Sequence, residues 1–329
     1  MKILTKEDIK KVFTMKEAIE ANKEAFGIYS SKKSITPLRT KIDVKKYNAT
    51  NLFMPAYAED LDTSGMKIIS VFPGNVKINK PVVPSQMILM DGSTGEVIAL
   101  LNGTYLTQLR TGAITGAATD LLSNKDSKIG ALFGTGGQAR CQLEAMLTVR
   151  DLDEVRIFDI DKDKCINFVD KVNKDLSDFN TTFKAVNSSD EAIDNADIIT
   201  TITTSTKPVF DGKKVKKGAH INGVGSFTPS MRELDEYIIK RADKVIADTL
   251  DGVLAEAGDF LIPIKENSFT KDIFTGELGD IVNKKVKKRE NKEEITICKS
   301  VGSAILDLVV GKKIYDNSNK KDIGQIIKL

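Results

Sequence analysis

Ile129-Gly130-Ala131-Leu132-Phe133-Gly134-Thr135-Gly136-Gly137-Gln138-Ala139 is the stretch on which the fold turns. An apolar run of strand length ends in a glycine-rich turn, and the turn opens a helical stretch from Gln138 to Val149. Gly134 permits the tight turn, Gly136 lets the main chain approach a pyrophosphate with Gly137 beside it, and Ala139 is small enough for the helix to pack on its strand. The helix N-terminus then offers unpaired N–H groups and the positive end of a dipole to an anion. A second strand, Glu154 to Phe158, ends at Asp159, about 20 residues beyond Ala139, where a carboxylate accepts from ribose hydroxyls. Strand, glycines, helix, strand and acid in that order predict a bound dinucleotide. Asp159 favours NAD by repelling a 2'-phosphate, while Lys162 and Lys164 are near enough in sequence to keep NADP open.

Outward from this unit the pattern continues as an alternation. Ala196 to Thr201, Ala219 to Val224 and Lys244 to Ala247 read as buried strands, with Ser188 to Ile193 and Met231 to Arg241 as helical segments between them. Ile295 to Cys298 and a helix from Val301 to Val310 follow. Towards the N-terminus, residues 5 to 30 read as helix from the spacing of Ile9, Val12, Met15 and Ile19, with Thr5 and Thr14 as caps. Between Leu38 and Leu101 the pattern turns to short strands at Asn51 to Ala56, Met66 to Val71, Val82 to Met90 and Glu96 to Leu100. Asp91-Gly92-Ser93-Thr94-Gly95 between two of these is a hairpin signal, so the sheet is expected to be mainly antiparallel. An alanine-rich helix, Leu109 to Leu122 with Thr107 near its start, leads into the nucleotide-binding part. The fold class expected is therefore α/β: a Rossmann-type doubly wound parallel sheet over 119–301, and a strand-rich α+β substrate domain from 1–118 with 302–329.

Composition narrows the function. The chain has 329 residues, 41% hydrophobic and 29% charged, which suits two globular domains. Its net charge of +3 comes from 49 basic and 46 acidic residues spread along the chain, so no electrostatic footprint for nucleic acid or an anionic membrane is expected. The densest basic run, Lys284-Lys285-Val286-Lys287-Lys288-Arg289, reads as a solvated loop beside Glu290, Glu293 and Glu294. No run approaches the roughly 18 apolar residues of a membrane span, and the N-terminus is amphipathic instead of signal-like. Cys141, Cys165 and Cys298 lack metal-ligand spacing and form an odd number, which suits a reducing cytoplasm. The single histidine, His220, sits in an apolar strand and reads as a satisfied core residue, so no catalytic metal is expected.

Since the nucleotide unit holds the cofactor, the other reactant is expected on the strand-rich domain. Arg39, Lys67 and Arg110 are cations beside or within apolar stretches. Arg110, read as opening a helix, opposes the dipole there and needs a carboxylate, which a guanidinium grips in two hydrogen bonds. Lys67 alternates with Ile69 and Val71 on one strand face, which reads either as a buried ammonium or as an edge lysine.

The set Pro37-Leu38-Arg39, Leu52-Phe53-Met54-Pro55-Ala56-Tyr57, Gly65-Met66-Lys67, Leu109-Arg110-Thr111-Gly112-Ala113, the glycine turn ending Gln138-Ala139, Ile221-Asn222-Gly223-Val224-Gly225 and Lys299-Ser300-Val301-Gly302 resembles the ornithine cyclodeaminase/mu-crystallin family over nearly the whole chain. The resemblance implies an NAD(P)-dependent enzyme acting on small amino or imino acids, and a homodimer formed through the strand-rich domain. It implies that Arg39, Lys67 and Arg110 bind the substrate, with Lys67 catalytic and Met54, Phe227 and Val301 beside it. Gly134, Gly136, Gly137, Gln138, Ala139, Asp159, Thr203 and Val224, with Thr111 and Ser300, are then the cofactor residues.

One position departs from the cyclodeaminase pattern. Those enzymes carry an aspartate where this chain has Phe227, in Val224-Gly225-Ser226-Phe227-Thr228-Pro229, and that aspartate is the base for the amine that displaces ammonia. Phenylalanine accepts no proton. Reduction of a preformed cyclic imine needs only a held carboxylate, a donor to nitrogen and an aimed hydride. A ketimine reductase of the Δ1-pyrroline-2-carboxylate type, giving L-proline, is therefore the expected activity; ornithine cyclodeamination and a non-catalytic, mu-crystallin-like dinucleotide-binding role are the alternatives.

Overall fold

The strand, turn and helix read at 129–149 form as a strand at Ile129–Phe133 and a helix at Ala139–Val149. The computed structural model that shows this describes residues 1–328 and divides the chain into two units, Met1–Arg110 with Ser303–Leu329, and Thr111–Gly302. The division falls inside the helix Gly103–Leu122, ahead of the boundary expected after residue 118. That helix changes partners at this point. Arg110 bonds to Asn22 and Asp307, whereas Gly112 lies against Cys141 and Thr115 donates to Gln142.

In the 111–302 unit every strand pairing is parallel, in the order Thr182–Ala185, Glu154–Phe158, Ile129–Phe133, Ile198–Thr201, His220–Gly223, Thr296–Lys299, Lys244–Ala247 and Gly276–Glu277. The chain winds outward in both directions from Ile129–Phe133, so the topological switch lies between that strand and Ile198–Thr201, where doubly wound sheets open a ligand crevice. Side chains alternate between two cores. Leu132, Ile157 and Ile198 join one with Leu143 and Val169; Ala131, Phe133, Ile199 and Ile221 join the other with Phe260 and Ile297.

The other unit is built on a largely antiparallel sheet through Val97–Asn102, Ser85–Asp91, Thr63–Val71 and Ala49–Ala58, to which Lys2–Leu4 adds in parallel. The hairpin at Asp91–Gly95 forms, with Asp91 accepting from the N–H groups of Ser93 and Thr94. The helices Met15–Ser30 and Ala304–Lys320 pack together, and the second also covers the sheet.

Several boundaries differ from the sequence reading, each for a local reason. Residues 5–30 are two helices, Lys6–Val12 and Met15–Ser30, because Phe13 is extended; Thr5 and Thr14 each cap one in a reciprocal box. The helix read from Leu109 begins at Gly103, which leaves Thr107 inside it and buried, not capping it, and takes Arg110 out of the first turn. Met231 to Leu234 is not helical: Asp235 caps a short helix, Glu236–Arg241, by accepting from the Ile238 N–H. The last long helix starts at Ala304, not Val301, and runs to Lys320. The basic run is not wholly solvated either. Arg289 is half-buried and donates to the carbonyls of Leu122 (2.6 Å) and Ala219 (3.3 Å) and to Thr296 Oγ1 (3.2 Å).

His220 is fully buried and shares hydrogen bonds with Thr296 Oγ1 (2.9 Å) and Asn222 Oδ1 (3.0 Å). Burial, with the Arg289 charge adding to it, pushes its imidazole down to about 3. The unfolded chain therefore takes up a proton at this residue near pH 6.5 and the folded one does not. We expect this residue to withdraw about 1.4 kcal/mol of stability per pH unit as pH falls below that value. Chemical denaturation at pH 7, 6 and 5 checks it: the wild type should lose stability more steeply than His220→Gln, and parallel curves would refute the assignment.

Candidate active site

Lys67 lies in the strand Thr63–Val71, paired with Met54 on one side and Met87 on the other, and its side chain has no exposure to solvent. An isolated ammonium there is costly, and the carboxylate of Asp307, on the helix Ala304–Lys320, compensates for it. Lys67 Nζ donates to Asp307 Oδ2 at 2.6 Å, and Arg110 Nε donates to Oδ1 at 2.9 Å. Among the described residues the terminal nitrogens of Arg110 have no hydrogen-bond partner, so the guanidinium keeps the edge that would receive a second carboxylate. Arg39 is half-buried and close enough for its charge to act on Lys67. Among the described residues Lys67 and Arg110 set two cations against the one carboxylate of Asp307, a positive excess that suits an anionic ligand. Burial first, then Arg110 and Arg39, push the Lys67 ammonium from 10.5 to about 7, with Asp307 opposing. At that value Lys67 gives up a proton near neutral pH, as a proton donor in a reaction must.

This arrangement corrects the reason given for Arg110. It does not sit against the helix dipole in want of an external carboxylate; it lies well inside the helix, and Asp307 is its internal partner. The edge-lysine reading of Lys67 is excluded by its burial. Asp307 itself escaped the sequence reading, because a lone acid in Ala304-Ile305-Leu306-Asp307-Leu308-Val309-Val310 carries no motif. Its one signal is a charge within an apolar helical run.

The glycine turn is built as a cradle. Gly134 has φ +95°, and a Cβ there would lie 2.7 Å from the Ile202 carbonyl, so only glycine fits. At Gly136 a Cβ would meet nothing within 4 Å, and both Gly136 and Gly137 are exposed: the space over this turn is left open by the chain. The helix Ala139–Val149 has Gln138 at its N-cap with no side-chain hydrogen bond to the helix, and Gln138 Oε1 is buried without a partner. A pyrophosphate on the turn, with ribose or amide groups reaching Gln138, fits this donor and acceptor set. Asp159 accepts from the Thr135 N–H (2.9 Å) and Thr135 Oγ1 (2.6 Å), tying the second strand end to the turn. Although burial opposes it, these bonds hold its carboxyl below the usual range, so it is an anion at neutral pH. Lys164 reaches it at 3.4 Å.

The remaining expected site residues occupy neighbouring strand ends of the same unit. Thr111 is partly exposed on the long helix, and Thr203 follows Ile198–Thr201. Val224 follows His220–Gly223, and Phe227 is half-buried against the larger core. Ser300 and Val301 follow Thr296–Lys299 and are held by Asp248, which accepts from Ser300 Oγ (2.7 Å), Val301 N–H (3.0 Å) and Gly302 N–H (2.7 Å). Burial pushes the Asp248 carboxyl up, against these three hydrogen bonds and a fourth from the Thr249 N–H (2.7 Å). Two more carboxylates, Glu233 and Asp259, and Lys299 are buried behind these loops. None of the four was singled out from the sequence. Among the described residues no group of His, Cys, Asp and Glu could hold a metal ion.

Comparison with known proteins identifies the family. The model of the ornithine cyclodeaminase/mu-crystallin family matches residues 1–322, and the chain belongs to that family. It is 37% identical over 328 residues to a Δ1-pyrroline-2-carboxylate reductase of Bacillus cereus, with all of each chain covered. The solved structure of Thermococcus litoralis Δ1-pyrroline-2-carboxylate reductase in complex with NADH and L-proline is similar at a TM-score of 0.94 and 38% identity, over 99% of this chain and 100% of that one. An archaeal alanine dehydrogenase dimer with bound NAD matches at 0.91 and 33% identity, over 100% and 99%.

Removing the Asp307 charge should expose what it balances. Asp307→Asn leaves two buried cations without a counter-charge, and we expect a loss of about 3–5 kcal/mol of stability. Urea unfolding of wild type and variant at pH 7 measures it; a difference within experimental error would mean that the pair contributes no net stabilisation.

Proposed function

We propose that this member of the ornithine cyclodeaminase/mu-crystallin family reduces the C=N bond of a small cyclic α-imino acid, Δ1-pyrroline-2-carboxylate in the first instance, to the corresponding L-amino acid, L-proline. The observation that carries this reading is the buried Lys67–Asp307–Arg110 cluster, a proton donor with a surplus of positive charge beside it. NADH, when bound, supplies the hydride that goes to the imine carbon. Arg110, through its terminal nitrogens, and Arg39 hold the substrate carboxylate. Lys67 Nζ donates a proton to the imine nitrogen as the carbon gains the hydride, so the double bond becomes C–H and N–H. Asp307 holds the lysine in place throughout. Met54, paired with Lys67 across the sheet, gives an apolar wall to a small ring.

NAD is the preferred cofactor on the strength of the Asp159 anion at the end of the second strand, with phosphates on Gly134 to Ala139 and with Thr111, Thr203, Val224 and Ser300 around the nicotinamide half. The two structural relatives are complexes with NADH and with NAD. Reduction is favoured over ornithine cyclodeamination by the chemistry around Phe227. The carboxylate tied to the turn that carries Phe227, Glu233, is fully buried and already accepts hydrogen bonds from the main chain, so it is not available as a base for the side-chain amine. A purely cofactor-binding role has no use for a buried proton donor.

The working form we infer is a homodimer in the cytoplasm. Ile35, Leu38, Ile42, Tyr47, Val76 and Ile78 are large apolar side chains exposed on the strand-rich unit, a surface that an isolated soluble chain rarely leaves uncovered. The archaeal relative is described as a dimer. All three cysteines are buried, and no described helix is long and apolar enough to cross a membrane.

The decisive assay follows NADH oxidation with Δ1-pyrroline-2-carboxylate and, separately, ammonia release from ornithine with NAD. Imine reduction without ammonia is the expected result, and robust ammonia release would sink the reductase reading. Because kcat/KM reports the free enzyme, it should fall as pH rises through about 7, where Lys67 loses its proton. Lys67→Ala should lower kcat by roughly 10²–10⁴-fold while NADH affinity changes little. Asp159→Ser should weaken NADH and shift preference towards NADPH; an unchanged ratio of kcat/KM values would mean that Asp159 does not read the ribose.

A further inference from the structure

Behind the strand ends of the 111–302 unit runs a chain of buried charge that the reduction above does not use. One oxygen of Glu233 accepts the Thr203 N–H at 2.6 Å. The other accepts the N–H groups of Gly225 (2.6 Å) and Ser226 (3.1 Å) and the hydroxyl of Thr201 (2.9 Å). These donors leave two different strands, Ile198–Thr201 and His220–Gly223. The N–H of Glu233 is in turn taken by Asp259 (2.6 Å), whose second oxygen pairs with Lys299 (2.7 Å), the last residue of a third strand. Glu233, Asp259 and Lys299 are all without solvent exposure.

Two glycines show how tightly the loops depend on this carboxylate. A Cβ on Gly225 would collide with the Thr203 main chain and with Glu233 itself, and one on Gly134 would meet Ile202 O at 2.7 Å and Thr203 Cγ2 at 3.1 Å. The turns that follow the first, fourth and fifth strands of the nucleotide unit therefore all bear on Thr203, and Glu233 holds Thr203. Simple filling of the core does not account for an acid here, since burying one is costly unless every lone pair is occupied. Its partners are the N–H groups of residues that have just left the sheet, at the edge where open parallel sheets receive their ligands. Phe227 is the residue directly after the last of them.

We propose, on the footing of the imine-reductase reading, that Glu233 is a positioning residue for hydride transfer: it locks Thr203 and the Ser226–Phe227 turn in one relative placement, and so fixes the nicotinamide ring on the loops of this unit. Misplacement by about 1 Å is enough to cost roughly 10²-fold in rate while leaving ground-state binding nearly intact. Glu233 touches neither reactant in this scheme and acts through the loops.

The test uses the full-length protein as wild type, Glu233→Gln, Thr201→Val and Thr201→Ser, with NADH binding and bound-NADH emission measured before turnover of Δ1-pyrroline-2-carboxylate. Glu233→Gln sets an amide donor against main-chain donors, and should lower kcat by about 10–100-fold, alter the emission of bound NADH and change its affinity less than about threefold. Thr201→Val removes a single donor from the carboxylate at nearly constant shape and should lower kcat severalfold, with Thr201→Ser restoring it. If Glu233→Gln fails to fold, the Thr201 pair decides alone. A kcat within about twofold of wild type in the folded variants, or a loss that follows thermal stability and is not restored by serine, overturns the positioning role. A wild type that binds NADH but reduces no imine overturns the functional reading instead, and Glu233 is then judged on bound-NADH emission: unchanged emission in Glu233→Gln removes it as well.

Discussion

A carboxylate without access to water, Asp307, is what allows two cations to stand inside the strand-rich unit. Lys67 by itself would be expelled or neutralised, because an ammonium loses its hydration on burial and gains nothing from the methionines on either side. With Asp307 at 2.6 Å the lysine stays in place, and with Arg110 on the other oxygen the carboxylate is satisfied on both sides. The balance is deliberately incomplete. One negative charge serves several positive ones, so Lys67 is held loosely enough to part with its proton while the region still draws an anion. A fully compensated cluster would be more stable and would lack both properties.

The second unit solves a related problem with the opposite sign. Parallel strands end together, and the turns leaving them carry main-chain N–H groups that no neighbouring strand receives. Glu233 and Asp248 accept these groups from the inside, and Lys299 offsets part of the charge through Asp259. The glycine turn at Gly134 has Asp159 on the N–H and hydroxyl of Thr135 and keeps open space over Gly136. Acids thus satisfy the loops from behind, and the space over Gly136 is left for phosphates.

What could be read from the sequence followed from locality. The glycine turn, its strand and its helix are encoded within neighbouring residues, as are the capping threonines and the Asp91 hairpin, and these stand as read. Lys67 and Arg110 were visible as charges in apolar surroundings, and their family context named them. The partner that makes them chemically meaningful lies 240 and 197 residues further along the chain, in a helix whose pattern is otherwise apolar. Glu233 was likewise read as part of a helix, since its role depends on N–H groups from two other strand ends. Helix boundaries shifted where a side chain found a use outside the periodic pattern: Asp235 capped, Phe13 became extended, and Met231 to Leu234 were drawn into the loop network. Arg289 shows the same effect in a run of like charges, where one member has carbonyl partners and the others face water.

The position of Asp307 also sets a schedule. During synthesis the whole of Thr111–Gly302, with its glycine turn and its buried acids, is translated before the helix Ala304–Lys320. Until that helix arrives, Lys67 and Arg110 lack their anion and the antiparallel sheet lacks the cover that the helix provides. The earliest translated strands are therefore among the last to reach their native state.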